Sequence, residues 1–353
     1  MIEKNQPYLI GETAFHHEGD IPFLKTLVDH GKNTKIDAIK FHLLLDLDEY
    51  FVKKHEAYDI LKNWLLTKEQ WLDVLSYTNQ KGLDTILLCN DPDSVDFAIE
   101  NSDKNIIAIE LHATGLNDYF LLEKASKFKG TVILGVGGSS IDEIYYAITT
   151  LNNLGQEDIF LMYGFQNYPT RYEEINLNKM LKLKDLFDLP VGYADHTDPS
   201  NPLNEYVSTL GMPLGINVCE KHFTHAFGEK RIDAQAAVTL EQLANIREMM
   251  DVANISLGDG TLAMSDAELS YGNTGPMKKA IVAKTKIKKG EVISLENVSF
   301  KRTNESTYML QSFFPRLIGL TVNKDIEMDD FIDFSNVEYE FRKENSDQFK
   351  ANK

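Results

Sequence analysis

The stretch TVILGVGGSSIDEIYYAITTLNNLGQEDIFLMYGF, residues 131–165, decides the fold class. It contains two apolar, β-prone runs, TVILGVG and DIFLMYGF, and the segment between them has the pattern of an amphipathic helix. Ser139 and Ser140 stand just before that helical pattern, where an N-cap residue is expected, and acidic residues follow in the first turn. A strand, a helix and a second strand in this order predict a parallel pair, because parallel strands need a crossover connection.

The same alternation continues from residue 8 to about residue 255. Eight runs have the composition of strands: YLIGETA (8–14), IDAIKFHLL (36–44), DTILLCN (84–90), IIAIELHA (106–113), TVILGVG (131–137), DIFLMYGF (158–165), PVGYA (190–194) and GINVCEKHF (215–223). Eight strand–helix units over roughly 250 residues predict a (β/α)8 TIM barrel. A doubly wound sheet is the alternative, but it normally has fewer strands and a Gly-rich first turn, which GETAFHHEGD (11–20) does not supply.

The pattern changes after the eighth unit. We therefore expect a barrel over residues 1–257 and, since GDGTLAMSDAELSYGNTGP breaks the periodicity, a linker over 258–277. Residues 278–340 alternate apolar and polar positions around turns such as KKGE, which predicts a small β-rich domain. The charged segment 341–353 is predicted to be a disordered tail.

Composition narrows the class of partner. The 353-residue chain carries a net charge of −18, which argues against nucleic acid or an anionic membrane as a partner. The first residues lack the basic and apolar regions of a signal peptide, and the chain has no apolar run of membrane-spanning length. Cys89 and Cys219 both lie in apolar runs, so a disulfide framework is not expected. These features predict a cytoplasmic protein.

Two strand ends carry the strongest chemical signal. VGYADHT (191–197) and CEKHFTHAF (219–227) place His196 and His222 near the ends of neighbouring predicted strands, whose tips lie roughly 5 Å apart. Two imidazoles with carboxylates nearby suit a divalent metal, and manganese, cobalt, zinc and iron all remain open. Further polar side chains stand at these two strand ends and at the others: Glu12, His16, His17, Lys40, His42, Glu110, His112, Gln166, Asn167, Tyr168, Asp195, Glu220 and Lys221.

Lys40 closes a buried-looking strand and allows three interpretations. It would bind a phosphate or carboxylate as a point charge, form a Schiff base, or make an ion pair with Glu12 or Glu220 across the barrel mouth. The glycines of GVGGSS (135–140) leave two interpretations, an anion-binding helix start or a tight strand-to-helix turn.

At this point the motifs resemble those of the sialic acid synthase (N-acetylneuraminate synthase) family. GETAFHHEGD, IDAIKF, QNYPTRYEEINL, VGYADHT, CEKHFT and IDAQAAVTLEQL match its motifs in order along nearly the whole chain. The stretch IVAKTKIKKGEVISLENVSFKR resembles the antifreeze-like (SAF) domain that follows the barrel in this family.

The resemblance implies an activity and a set of roles. The reaction would be the metal-dependent condensation of phosphoenolpyruvate with an N-acetylated amino sugar aldehyde, giving a sialic-acid-type nonulosonic acid and phosphate. The metal, commonly Mn²⁺, would bind to His196 and His222. The resemblance implies catalytic roles for Glu12, Lys40 and His196, and substrate contacts for Lys40, Glu12, Gln166, Tyr168, Asp233 and Arg302. Arg302 would come from the partner subunit of a domain-swapped homodimer.

Several positions depart from the family pattern. Ile109, His112 and Thr114 stand where the family has a lysine, a serine and an acidic residue. Leu88 replaces a threonine, Gly135 and Ala194 replace serines, and Gln166 replaces an asparagine or serine. Each lost charge-assisted hydrogen bond to a phosphate would cost roughly 1.5–3 kcal/mol. Two further hypotheses follow: a sugar aldolase or isomerase that does not use phosphoenolpyruvate, and a non-catalytic sugar-binding paralogue.

Overall fold

A computed structural model of the protein describes residues 6–164, 168–272, 278–305 and 307–339. The chain divides into two compact units between Asp259 and Gly260, two residues beyond the predicted end of the barrel. In the first unit eight parallel strands form a closed barrel in sequence order, with β8 paired to β1. The predicted (β/α)8 TIM barrel is confirmed.

All eight predicted runs contain a barrel strand. Their bounds are β1 Tyr8–Glu12, β2 Ala38–Leu43, β3 Asp84–Cys89, β4 Ile106–Leu111, β5 Thr131–Gly135, β6 Ile159–Tyr163, β7 Val191–Asp195 and β8 Val218–His222. The described helices of this unit are α1 Ile21–Asn33, α2 Leu47–Tyr50, α3 Tyr58–Lys62, α4 Lys68–Gln80, α5 Pro92–Glu100, α6 Tyr119–Ala125, α7 Ile141–Asn153, α8 Tyr172–Ile175, α9 Leu177–Phe187, α10 Asn204–Thr209 and α11 Leu240–Leu257.

Strand alternation separates two apolar layers. Residues such as Ile10, Ala38, Ile133 and Phe160 fill the barrel interior, whereas the residues between them pack outward against the helices. Because successive side chains point to opposite faces, the strand residues two and four positions beyond each interior residue also face inward. The polar residues at the barrel mouth follow the same alternation of inward and outward side chains.

Local capping chemistry sets the helix starts. Thr67 and Ser140 cap α4 and α7, and each forms a reciprocal capping box with the residue three positions on. The N-cap at Ser140 was predicted from the sequence and is confirmed. Thr239 caps α11 in the same way. These caps satisfy backbone N–H groups that have no partner within the helix.

The second unit is small and mostly irregular. Strands β9, Lys279–Ala283, and β10, Val298–Arg302, pair antiparallel, and four isolated bridges, one of them from Val282 of β9, add further pairing within this unit. Its core contains eleven buried apolar residues: Ile281, Ala283, Ile287, Ile293, Val298, Met309, Leu317, Val322, Ile326, Ile332 and Val337. A short helix, α13, covers Phe314–Leu317.

The predicted linker contains a helix that the sequence reading missed. Residues Asp266–Gly272 form α12, and Ser265 and Glu268 cap its start reciprocally through side chain and backbone. The signal was a Ser-x-x-Glu capping box in SDAEL. The end of the predicted linker, residues 273–277, and the predicted tail lie outside the described residues.

Two further observations bear on the protein's environment. Cys89 and Cys219 are buried free thiols on β3 and β8, and burial raises the pKa of both. Within the described part of the chain, every helix is too short or too polar to cross a membrane.

Candidate active site

Strand register brings three polar side chains together at the barrel mouth. Glu12 at the end of β1 pairs in register with Lys40 on one side and with His222 on the other. Ala194 of β7 stands beside Glu220 of β8, so the next inward residue, His196, approaches His222. The predicted convergence of the two strand ends is therefore what the fold produces.

Glu12, His196 and His222 form a candidate metal centre. The Nε2 atoms of the two imidazoles lie 3.3 Å apart, and Glu12 Oε2 lies 3.4 Å from His222 Nε2. One ligand atom from each residue falls within 4.8 Å of the others. Two imidazoles and a carboxylate fit a divalent transition-metal ion, and they leave coordination positions for substrate or water.

The protonation states also suit a metal. Burial lowers the pKa of His222 to about 3 and that of His196 below its ordinary value, so both rings are neutral at neutral pH. Burial alone would raise the pKa of Glu12, but the charge of Lys40 holds that pKa well below its usual range. The centre therefore presents two neutral imidazoles and an anionic carboxylate, which are the forms that bind cations.

Lys40 lies at the centre of three carboxylates. Its Nζ is 2.7 Å from Glu220 Oε1, 3.0 Å from Glu110 Oε2 and 3.4 Å from Glu12 Oε1. Burial alone would lower the pKa of Lys40, but these carboxylates hold it above its ordinary value. The ion-pair interpretation of Lys40 is thus observed, and all three ammonium protons have an acceptor nearby.

A narrow inner cavity lies beside Lys40. Leu88, Gly135, Met162 and Ala194 line it together with Glu110, and its volume is about 30 Å³. Burial raises the pKa of Glu110 and raises that of Glu220 well above its ordinary value. Protonation of Glu220 would remove one of the three negative charges around Lys40.

Ile109 and Glu110 lie on opposite faces of β4. Ile109, which the sequence analysis aligned with a lysine of the family, packs outward in the layer between strands and helices. Glu110 is the inward residue of β4 and lines the inner cavity. Ala108 faces the barrel interior, and side chains alternate along a strand, so Glu110 faces inward and Ile109 outward. His112 follows in a turn, where its Nδ1 lies 3.0 Å from the hydroxyl of Thr114.

A second cavity, of about 240 Å³, opens above the metal centre, and we call it the acceptor cavity. Tyr168 and Asp233, both predicted to contact substrate, line it. Its remaining lining residues are Glu12, Ala14, Phe15, His42, Tyr50, Asn90, His112, His196, His222, Gln235 and Ala236. The hydroxyl, amide and carboxylate groups among them can bind a polyhydroxylated molecule.

His42 is a site residue to which the sequence reading gave no role. Its Nε2 lies 2.5 Å from Glu12 Oε1, whereas His222 lies near the other carboxylate oxygen, Oε2. The sequence could have indicated this position, because His42 lies two residues after Lys40 on β2 and therefore faces the same way. Asn90 was missed as well, and it stands one residue beyond the end of β3.

The remaining predicted residues are Gln166, Arg302 and two histidines of the loop after β1. Gln166 lies outside the described residues. Arg302 is the last residue of β10 in the small unit. Of the other histidines predicted at strand ends, His16 and His17 are buried in the loop after β1.

Known proteins are similar to this chain in sequence and in fold. A model of the NeuB family matches residues 27–262. The chain belongs to the NeuB family. The predicted resemblance to sialic acid synthases is thereby confirmed, and this NeuB-family chain is a transferase of that type.

Three relatives illustrate the range. An uncharacterized protein of Methanocaldococcus jannaschii is 32% identical over 332 residues, which cover 94% of this chain and 95% of that protein. The N,N'-diacetyllegionaminic acid synthase of Legionella pneumophila is 28% identical, covering 84% of this NeuB-family chain and 85% of its own. The crystal structure of the N-acetylneuraminic acid synthetase from Leptospira borgpetersenii matches with a TM-score of 0.67. The match covers 76% of this chain and 90% of that one, and the two sequences are 22% identical. This last likeness concerns the fold alone.

Proposed function

We propose that the protein condenses phosphoenolpyruvate with an N-acetylated amino sugar aldehyde to form a sialic-acid-type nonulosonic acid. A carbon–carbon bond forms between the enol carbon and the aldehyde carbon, water adds at the donor's second carbon, and phosphate is released. The observation that carries the proposal is the Glu12, His196 and His222 centre at the floor of the acceptor cavity.

Each side chain has a role that its environment supports. His196, His222 and Glu12 would hold a divalent cation, for which Mn²⁺ is our first candidate, and a bound cation would polarise the sugar aldehyde as a Lewis acid. Tyr168 and Asp233 face the acceptor cavity and would bind sugar hydroxyl groups. His42 would hold Glu12 in place through the bond between them.

Lys40 would orient the donor. A donor carboxylate at the inner cavity would receive a hydrogen bond from Nζ once Glu220, the carboxyl group with the strongly raised pKa, turns away. Gln166 is proposed to contact the substrate from the loop after β6. Leu88, Gly135 and Ala194 stand where the family has hydroxyl side chains. Lys40 would therefore be the main group that binds the donor.

The aldolase hypothesis has less support in the structure. A Schiff base requires a neutral amine, whereas three carboxylates within 3.4 Å keep Lys40 protonated. Borohydride trapping with candidate carbonyl substrates would test this directly, and we expect no adduct at Lys40.

The decisive experiment measures phosphate release. Purified protein with Mn²⁺ and phosphoenolpyruvate is offered a panel of mono- and diacetamido hexoses, and a nonulosonic acid is sought by mass spectrometry. We expect stoichiometric phosphate and sugar acid with at least one acceptor. Sugar binding by calorimetry without turnover of any acceptor would overturn the proposal in favour of a non-catalytic paralogue.

The proposed function also gives a role to the small unit and to a homodimer. Residues 278–340 are proposed to be an antifreeze-like (SAF) domain that supplies Arg302 to the partner's site in a domain-swapped homodimer. Arg302→Ala should then raise the KM for the acceptor, and an unchanged KM would remove this role. A cytoplasmic location is proposed because both cysteines are free thiols.

A further inference from the structure

The small unit contains a cavity of about 310 Å³, which we call the small-unit cavity. Lys278 and Lys279 line it, together with Ala280 and Met309, which are buried. Cavities of this size hold small organic molecules. The charges and hydrogen-bonding groups of the lining indicate which class of molecule would fit.

The lining is positive, although the chain is acidic. The sequence contains 54 aspartates and glutamates against 36 lysines and arginines, yet the described residues that line the cavity include no carboxylate. Lys286 and Lys301, elsewhere in the small unit, form ion pairs with carboxylates. Among the described residues, no carboxylate pairs with Lys278 or Lys279. Both ammonium charges are therefore available to an anionic ligand.

Two hydroxyl groups of the lining can donate hydrogen bonds as well. Thr303 Oγ1 accepts a hydrogen bond from the backbone N–H of Glu305 at 3.1 Å. Thr307 Oγ1 accepts one from the backbone N–H of Met309, also at 3.1 Å. A hydroxyl group that accepts from the backbone keeps its own hydrogen for another acceptor. The cavity thus combines ammonium and hydroxyl donors, and an oxyanion accepts hydrogen bonds from both.

We propose that the small-unit cavity binds a phosphomonoester, a small molecule that carries one phosphate group. Such a group has a charge of about −1.5 to −2 near neutral pH, which two ammonium groups balance, whereas a carboxylate supplies one charge only. The organic part of the ligand would lie against Ala280 and Met309. This site goes beyond the proposed condensation. Arg302, which that proposal assigns to the partner's site, is not among the residues that line the cavity.

Methionine methyl NMR on the full chain locates the binding. Met309 lines the small-unit cavity, whereas Met328 of the same unit is 59% exposed and lies outside it. Met162 lines the inner cavity of the barrel and reports on that site separately. We expect phenyl phosphate to shift the Met309 signal and to leave that of Met328 unchanged. Met309→Leu and Met328→Leu, each of which removes one signal, assign the two.

Three probes test the ligand class through the Met309 shift: phenyl phosphate, benzoate and inorganic phosphate. Benzoate should bind about ten-fold or more weakly than phenyl phosphate, because it makes fewer charge-assisted hydrogen bonds. Inorganic phosphate should also bind more weakly than phenyl phosphate, because it covers no apolar surface. Equal affinities of benzoate and phenyl phosphate would overturn the assignment to a phosphate group.

A pair of double variants tests the lysines. Lys278→Ala with Lys279→Ala should weaken phenyl phosphate binding on the order of 100-fold, since two charge-assisted hydrogen bonds are lost. Lys288→Ala with Lys289→Ala removes the same charge from two exposed lysines of the same unit and should change the affinity by less than about two-fold. Melting temperatures check that both double variants fold.

Two results would overturn the site. Equal losses of affinity in the two double variants would show that overall charge, rather than the cavity, attracts the probe. A shift of the Met162 signal without a shift of the Met309 signal would place phosphate binding in the barrel alone.

Discussion

Lys221 Nζ lies 2.6 Å from Asp195 Oδ2 in an ion pair whose side chains are both fully buried. Each partner directly precedes a proposed metal ligand in the chain, His222 and His196 respectively. Asp195 also accepts hydrogen bonds from the hydroxyl groups of Ser208, at 2.6 Å, and Tyr193, at 3.0 Å. The pair thus joins β7 to β8 next to the candidate metal centre and fixes the spacing of the two imidazoles.

Removing one partner of this pair should destabilise the barrel and weaken metal binding. Lys221→Met leaves the Asp195 charge buried without its cation, which typically costs about 3–5 kcal/mol of unfolding free energy. We expect Mn²⁺ affinity to fall roughly 10–100-fold as the ligands lose their support. Urea denaturation measures the first effect, and calorimetric titration of Mn²⁺ the second.

A surface ion pair provides the control for Lys221→Met. Lys25 Nζ lies 2.8 Å from Asp73 Oδ2, but both side chains are partly exposed. Lys25→Met should change stability by less than about 1 kcal/mol and leave Mn²⁺ affinity unaltered. Equal losses in the two variants would contradict the positioning role of Lys221.

The second prediction concerns the metal ligands themselves. His222→Ala removes one imidazole from the centre, so we expect loss of stoichiometric Mn²⁺ binding. His55→Ala alters an exposed histidine on the segment before α3 and should retain one ion per chain. Elemental analysis after dialysis measures the stoichiometry, and a full complement of metal in His222→Ala would rule out this ligand set.

The third prediction is a loss of stability in acid. Burial, reinforced by the nearby His42 and His16, lowers the pKa of His17 to about 4 from an ordinary value of 6.5. Between these values the unfolded chain binds more protons than the folded protein, so stability rises with pH and is lost as pH falls below 6.5. His17 alone should account for on the order of 3 kcal/mol between pH 7 and pH 4.

Denaturation at several pH values tests this effect. His17 Nδ1 accepts a hydrogen bond from the Gly19 N–H at 3.0 Å, and asparagine can supply a similar acceptor. His17→Asn should therefore fold and show a smaller dependence of unfolding free energy on pH. An unchanged slope would show that other groups cause the acid sensitivity.

The fourth prediction concerns the turn after β5. A Cβ added at Gly137 would lie 1.8 Å from the carbonyl oxygen of Gly164, which is a backbone atom with little freedom to move. Gly137→Ala should destabilise the barrel by about 3 kcal/mol or more. Ser139→Ala, in the same turn, should leave the melting temperature nearly unchanged, and equal melting temperatures for the two variants would contradict the close approach.

The barrel was predictable because its signals are local and repeated. Each apolar run has strand length, and Thr67 and Ser140 mark helix starts by chemistry that depends on neighbouring residues only. His196 and His222 could be paired from sequence because consecutive strands of a barrel are neighbours.

The lysine cluster was harder to predict because it depends on register across non-adjacent strands. Glu110 comes from β4 and Lys40 from β2, and only the closed geometry of the barrel shows that they meet at 3.0 Å. The outward position of Ile109 also depends on register, since a shift of one residue moves a strand side chain to the opposite face. Gly137 was ambiguous for a different reason, because its sequence context suits both an anion site and a tight turn.

The two cysteines lend themselves to a practical use. Cys89 and Cys219 are about 1% and 4% exposed, and a thiol with a raised pKa reacts slowly with alkylating reagents. A single cysteine introduced at an exposed position such as Leu295 would then be the preferred point of attachment for a fluorophore or a spin label. Paired labels on two copies of the chain would report directly on whether subunits exchange their small domains.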